Sequence, residues 1–425
     1  MSEKGEDAIN TILAKIGVPG KYQIFTFVCT FTIGIISAFQ TVGLAFIQAD
    51  VSYRCAEESA NSTHLTPDSE NVFNNRCFVG DNSSAATECE RFIYDQSIFK
   101  STITICSRAR LVTVSNLVYN GVGIICGIFT GWLSDKIGRK PCIILHLAII
   151  GVVGTITAFS VSMEMYIILK VIMSAPTVGL YDATNSHLSE CTAPAKRPHM
   201  LIGSVISWGV AILLMSGLGY LIRDWKHLQL VISAPCLLIA LLAFWGYDES
   251  PHWLYSQGKF EESQKVIEKI ARWNKYDLED FSVISGKVKH GESSQKVSTI
   301  ELKDESNNAS NISVEFTGEE NEMTESSKHG CLQILKSGRF MLIFLICSFA
   351  WFSCNIGYYG LLYGIGDLVG DLYVNNTLGG VAEIIAYCLC FVILKGGRKY
   401  VYVGLGIIGG VSLIGSAIFT IYPTR

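Results

Sequence analysis

The residues that could do chemistry are few, and several of them sit where water is scarce. Glu383 lies inside an apolar run at about 371–394. A carboxylate at membrane depth costs about 2.5–3.5 kcal/mol on insertion scales, so it must face a cavity or a partner. It either meets a cationic solute or pairs with Lys395 or a backbone donor. Trp351, Asn355, Tyr358, Tyr359 and Leu362 share one face of the run at 340–363 at helical spacing. Aromatic rings turned toward a cavity suit a quaternary ammonium through cation–π contact; turned outward, they are packing or lipid-facing rings. Asp182, Ser186 and Glu190 recur at i, i+4 and i+8 in the run at 164–188 and just beyond it, with Asp182 placed to serve a solute or a coupling ion.

A second group is charged and lies between two apolar runs. The segment Gly131 to Lys140 reads GWLSDKIGRK. Gly131 and Gly138 allow close approach of helices and turn. Asp135 can pair with Arg139, and Lys136, Arg139 and Lys140 hold the turn in the cytoplasm. Such a cluster can break and re-form as two halves of a molecule rock, which makes it a latch. A plain basic loop accounts for the cations but not for the Gly and Asp spacing.

Catalytic groupings are absent from the sequence. The eight His show no metal-ligand spacing, and there is no phosphate-cradling glycine loop or nucleophile elbow. The chain therefore reads as a non-enzyme without metal or cofactor. A net charge of −4 gives no reason to expect nucleic acid. The expected partners are a small organic solute, the lipid bilayer and, left open, a coupling ion.

The elements that carry these residues follow from composition and run length. Of 425 residues, 49% are hydrophobic and 16% charged, against about 25% charged in a soluble domain. A span needs about 20 mostly apolar residues. Nine runs qualify, at about 23–47, 110–134, 142–162, 164–188, 201–222, 227–247, 340–363, 371–394 and 400–421. No cleavable leader is evident, and the first span would target the chain. Lys15, Lys21, Lys136, Arg139, Lys140, Lys196, Arg197, Lys336, Arg339, Lys395, Arg398 and Lys399 fall on one side, against Arg223 and Lys226 on the other. The N-terminus is thus expected in the cytoplasm.

Two long loops interrupt the spans. The one at 48–109 is expected outside; it holds Cys55, Cys77, Cys89 and Cys106 and the sequons at Asn61 and Asn82. Four cysteines in an oxidising compartment imply two disulfides with three connectivities open. The sequons are expected to be glycosylated. The segment 248–338 is expected inside, opening with amphipathic helices over Phe260, Val266, Ile267, Ile270 and Trp273. From 276 to 330 it turns Ser-, Glu- and Asn-rich without period, which predicts disorder.

The pattern G-x-L-x-D-x-x-G-R-K resembles the loop between spans 2 and 3 of major facilitator transporters. DESPHWLYS at 248–256, followed by QGKFEES and IARWNK, resembles the signature after span 6 of the organic cation, carnitine and organic anion transporter family. Other stretches agree: YDQSIFKSTI, Glu190 with Pro194 and Arg197, LIRDWKHLQL, WFSCNIGYYGL and LGGVAEIIAY. The likeness covers nearly the whole chain except about 276–330. It implies an all-α polytopic membrane protein of major facilitator type in the plasma membrane, with about nine transmembrane helices here against twelve in the family. It implies substrate contacts from Phe39, Gln40, Trp208, Trp351, Tyr358, Tyr359 and Glu383. It implies a gate built from Gly131, Asp135, Gly138, Arg139, Lys140, Glu190, Arg197, Glu249 and Arg398. Glu383 matches a span 8 Glu of cation and carnitine carriers, whereas organic anion carriers tend to put cations there.

Departures accompany the likeness. Lys170 and Ser174 replace an Arg and a Gly of span 4, and His252 replaces the Arg of the ESPRWL signature. Leu394 stands where the second-half latch has an Asp. The expected organisation is a cytoplasmic N-terminus at 1–22, a six-helix half at 23–247, a cytoplasmic loop at 248–338 and a partial second half at 339–425, as in a truncated gene model or splice form. The expected function is alternating-access transport of small organic cations or carnitine-like zwitterions. Organic anions are the alternative substrate, and a non-transporting membrane protein or partner of a full-length carrier is the alternative role.

Overall fold

Apolar run length and chain breakers set the helices. In the computed structural model the described residues are 3–16, 19–47, 53–55, 78–79, 87–88, 92–94, 109–276, 281–285, 298–302, 338–363, 371–393 and 398–421. The helices are α1 (Glu3–Lys15), α2 (Lys21–Ile47), α3 (Ala109–Ile137), α4 (Arg139–Ala158), α5 (Met163–Glu190), α6 (Arg197–Leu221), α7 (Trp225–Ser233), α8 (Pro235–Gly246), α9 (Pro251–Ser256), α10 (Phe260–Trp273), α11 (Gly338–Tyr363), α12 (Leu372–Ile393) and α13 (Arg398–Ile421). Among the described residues, eight helical segments are long and apolar enough to cross a bilayer: α2, α3, α4, α5, α6, α7 with α8, α11 and α12. The backbone of α13 adds a further helix of 24 residues.

Local chemistry explains the breaks. Ser162 caps α5 by accepting from the Met165 amide at 3.2 Å, and Asp224 caps α7 by accepting from the Lys226 amide at 2.8 Å. The single run predicted at 227–247 is two helices, because Pro235 brings no amide to the ladder and starts α8 afresh. Between α3 and α4 the chain turns at one residue, Gly138, with φ +105°. A side chain there would be strained and would collide with the Glu249 carboxylate.

Three short antiparallel pairs lie in the long loops. β1 (Tyr53–Cys55) pairs with β4 (Phe92–Tyr94), β2 (Phe78–Val79) with β3 (Thr87–Glu88), and β5 (Phe281–Ser285) with β6 (Ser298–Leu302). The last pair lies within the segment 276–330 that is expected to be disordered; the rest of that segment beyond Tyr276 lies outside the described residues. Its two strands are enriched in β-branched and aromatic residues, a short-range signal masked by the polar composition around it. Cys77, Cys89, Cys106, Asn61 and Asn82 lie outside the described residues, and Cys55 is described only as backbone in β1.

Packing divides the molecule. In one core Ile33 and Ile36 of α2 meet Ile143, Leu147 and Ile150 of α4, Met173 and Leu180 of α5, and Cys236 of α8. A second core joins Val42 and Phe46 of α2, Tyr166 of α5, Met215 of α6 and Trp225 of α7. The third lies at the basic end, where Ile9, Ile12 and Leu13 of α1 and Ile16 just after it pack on Ile267, Ile270 and Ala271 of α10. The sequence reading gave α1 no role; its apolar period is the signal that was there to find. α12 packs along α6, and α11 touches α2.

Candidate functional site

Halfway along the helices an acid meets a set of rings. α6 and α12 approach closely because both carry glycine at the crossing. A Cβ at Gly209 would stand 2.8 Å from Ile384, and one at Gly380 would stand 3.1 Å from the Gly209 carbonyl. Asn376, fully buried, pins the pair by donating to the Ile212 carbonyl at 3.1 Å and to Ser216 Oγ at 2.7 Å. This crossing brings Glu383 of α12 to Trp208 of α6 and Tyr358 of α11. Trp208 Nε1 donates to Tyr358 Oη at 2.6 Å, and the Tyr358 hydroxyl lies within interaction range of the Glu383 carboxylate. Glu383 Oε2 is buried and has no hydrogen-bond partner.

Further rings complete the cluster. Tyr359 stands edge-on to Tyr358 at 5.2 Å, and Tyr181 of α5 stands edge-on to Trp208 at 6.3 Å. Tyr387 lies within charge-interaction range of Glu383, Tyr181 and Tyr359. Four helices therefore contribute rings around one carboxylate. Among the described residues no Lys or Arg is hydrogen-bonded or ion-paired to Glu383. Tyr181 and Tyr387 were missed from sequence, although Tyr387 sits one turn from Glu383 and Tyr181 sits beside Asp182.

Other expected contacts do not gather here. Trp351 is 76% exposed, two turns from Tyr358. Helical spacing put it on the same face, but among the described residues no neighbouring element covers that part of α11. Gln40 is 1% exposed and turned into the first half, where its Nε2 donates to the Ile232 carbonyl at 3.1 Å and Ser233 Oγ at 3.4 Å. It ties α2 to α7 and belongs with Gln229, which accepts from Lys170 Nζ at 3.1 Å. Phe39 is half-buried and, like Trp208, packs against the second core.

The charged turn assembles as a latch within the first half. Arg139 Nη2 meets Glu190 at 2.8 Å and its Nη1 meets Asp135 at 2.7 Å. Glu249 accepts from the backbone amides of Arg139 and Ser250, each at 2.9 Å, and of Lys140 at 3.3 Å. Trp253 Nε1 donates to the Asp135 carbonyl at 2.7 Å, a role the sequence motif contained but did not reveal. Burial pushes the Glu249 carboxyl above the usual range against the pull of those amides and of Arg139. Arg197 stands apart from Arg139: it donates to the carbonyls of Ser189 and Thr192 at 2.8 and 2.9 Å, capping α5, and to Asn10 Oδ1 at 2.7 Å. Beside it, burial first and the Arg197 charge second push the His252 imidazole down to about 4, with Glu190 opposing.

The other residues of the expected gate are placed as follows. Among the described residues nothing lies within 4 Å of where a Cβ at Gly131 would stand, whereas Gly138 is closely approached by Glu249. Lys140 contributes its backbone amide, while its Nζ lies 5.9 Å over the Phe244 ring. The side chain of Arg398 lies outside the described residues, and every described partner of Arg139 belongs to the first half or, for Glu249, to the start of the loop that follows it.

Comparison with known proteins agrees with this architecture. The family model for the sugar (and other) transporters matches residues 23–317. The organic cation transporter protein of Drosophila melanogaster is 26% identical over 96% of this chain and 74% of its own length. Mouse solute carrier family 22 member 3 is 24% identical over 95% and 75%, and human solute carrier family 22 member 13 is 27% identical over 73% and 50%. The xylose transporter XylE of E. coli, in a partially occluded inward-open conformation, shares the fold with a TM-score of 0.54 at 15% identity, over 89% of this chain and 72% of that one. Transporters of this kind are multi-pass membrane proteins and not enzymes, and this chain belongs to the sugar (and other) transporter family of the major facilitator superfamily.

Proposed function

We propose that this transporter carries small organic cations or carnitine-like zwitterions across the plasma membrane by alternating access around the Glu383 cluster. The observation that carries the reading is the unpartnered Oε2 of Glu383 inside a set of five rings. A buried carboxylate oxygen without a donor loses free energy that a cation restores, and rings supply cation–π attraction of about 0.5–2 kcal/mol each. The Tyr358 hydroxyl orients the carboxylate, and Trp208 orients Tyr358. No basic side chain faces the cluster among the described residues, which disfavours organic anions. The Arg139 latch holds the ends of α3, α4 and α5 together as one body, so that the first half moves as a unit. A cation entering a cell gains about 2.3 kcal/mol per charge per 100 mV of inside-negative potential, which drives uptake without ATP. The long loop at 48–109 is outside in this reading, with Cys55, Cys77, Cys89 and Cys106 disulfide-bonded and Asn61 and Asn82 glycosylated.

The test is uptake of labelled tetraethylammonium and carnitine by cells expressing the full chain, with surface biotinylation alongside. Saturable uptake of either from surface-resident protein supports the reading. Surface-resident protein without uptake contradicts it and favours a non-transporting role.

A further inference from the structure

α6 and α12 meet at two levels, and an apolar groove lies at the second. At the first, a Cβ at Gly209 would stand 3.3 Å from Glu383 Cβ. Nearer the basic end, a Cβ at Gly203 would stand 3.9 Å from Phe391 Cζ of α12 and 3.1 Å from Phe27 of α2. His199 stacks on Phe391 with ring centroids 6.2 Å apart. Around this second meeting point, Ile24 and Phe27 of α2, Met200 and Gly203 of α6 and Phe391 of α12 line an open cavity of about 240 Å³. The first half supplies two of its walls and α12 the third.

The groove is in line with the ring cluster. On α12, Glu383, Tyr387 and Phe391 recur at i, i+4 and i+8 and form one stripe. Tyr387 stands between the other two and lies within charge-interaction range of Glu383. On α6, Met200 of the groove and Trp208 of the cluster share a stripe at i and i+8. Two turns of helix therefore separate cluster and groove on both walls, about 12 Å. These five lining residues are apolar, so a charged group gains nothing in the groove, whereas an alkyl chain leaves water there. One continuous path thus begins at a carboxylate among rings and ends at an apolar slot.

The geometry points to an amphiphilic cation as the preferred solute, with its ammonium at Glu383 and its alkyl tail in the groove between α2, α6 and α12. This rests on the reading of Glu383 as a cation site and narrows it. A separation of about 12 Å suits an extended tail of about eight to ten carbons. The effect lies in selectivity, since the groove adds affinity to a tailed cation and none to a compact one.

Competition against labelled tetraethylammonium on the purified full chain, with trimethylammonium compounds bearing butyl, hexyl, octyl and decyl chains, tests the inference. In wild type the affinity rises about twofold per methylene, as half-burial in an open groove implies. F391S and M200S each put a hydroxyl in the groove wall. They weaken decyltrimethylammonium about tenfold and leave tetraethylammonium as in wild type. M200W, which fills the groove, has the same effect and replaces the serine variants if they fold poorly. Equal decyltrimethylammonium affinity in wild type and the groove variants overturns the inference; tetraethylammonium binding that still depends on Glu383 then leaves the cation site standing. Decyltrimethylammonium binding that depends on Phe391 but not on Glu383 also overturns it, because the groove then takes a lipid-like tail on its own. Failure of the wild-type chain to bind any of the compounds overturns both readings.

Discussion

The latch and the ring cluster are built from the same kinds of residue and end in opposite conditions. At the basic end, Arg139, Asp135, Glu190 and Glu249 satisfy one another and the backbone around them. In the middle of the helices, Glu383 keeps a bare buried oxygen. Satisfied polar groups fix structure, whereas unsatisfied ones at membrane depth are retained at a cost and mark where a ligand goes. The contrast assigns stability to one region and binding to the other.

Variants break that assignment or sharpen it. The largest effect is expected at the latch. R139A strands Glu190 and the turn, which costs about 3 kcal/mol for a largely buried pair; it lowers the melting temperature of the purified protein and its surface level. G138A has the same direction, because φ +105° and the Glu249 carboxylate both exclude a Cβ. Next, E383Q leaves melting within a degree or two and weakens tetraethylammonium affinity by about 2 kcal/mol, roughly thirtyfold. A large loss of melting temperature in E383Q with unchanged affinity would reverse the two roles. Y358F removes the hydroxyl between Trp208 and Glu383 and costs about 1 kcal/mol, seen as a KM about fivefold higher with surface level unchanged.

The smallest effect is one of pH. His252 is neutral where it docks, pushed down to about 4 from an ordinary value near 6.5. As pH falls through 6.5 the unfolded imidazole takes up its proton first, so docking of α9 weakens between pH 6.5 and 4 and is unaffected above. At pH 5.5 the loss is about 1 kcal/mol. The matching measurement is the melting temperature of wild type and H252Q from pH 5 to 8. The wild-type curve bends down relative to the variant below about pH 6.5, and parallel curves would remove the role of His252.

The latch was legible in the sequence to an unusual degree, since its charges and Gly138 sit within ten residues and the remaining acids follow local motifs. Spans were legible from run length, and the break at Pro235 was predictable from its missing amide. Much of the ring cluster was not. Glu383 announced itself as a lone acid and Trp208 was named beside it, but Trp208 meets it only through the α6–α12 crossing at Gly209 and Gly380, and Tyr181 joins through its packing on Trp208. Trp351 and Gln40 stand apart from the cluster. Periodicity places a residue on a face but does not say which neighbour covers that face, and Gln40 is covered by α7.

The central claim is that Glu383 holds a cation, and direct binding tests it most plainly. Labelled tetraethylammonium is titrated onto the purified full chain as wild type, E383Q and E383D. The account predicts saturable wild-type binding, a loss of roughly thirtyfold in E383Q and substantial recovery in E383D. Equal affinity in wild type and E383Q, with both proteins folded, would contradict it.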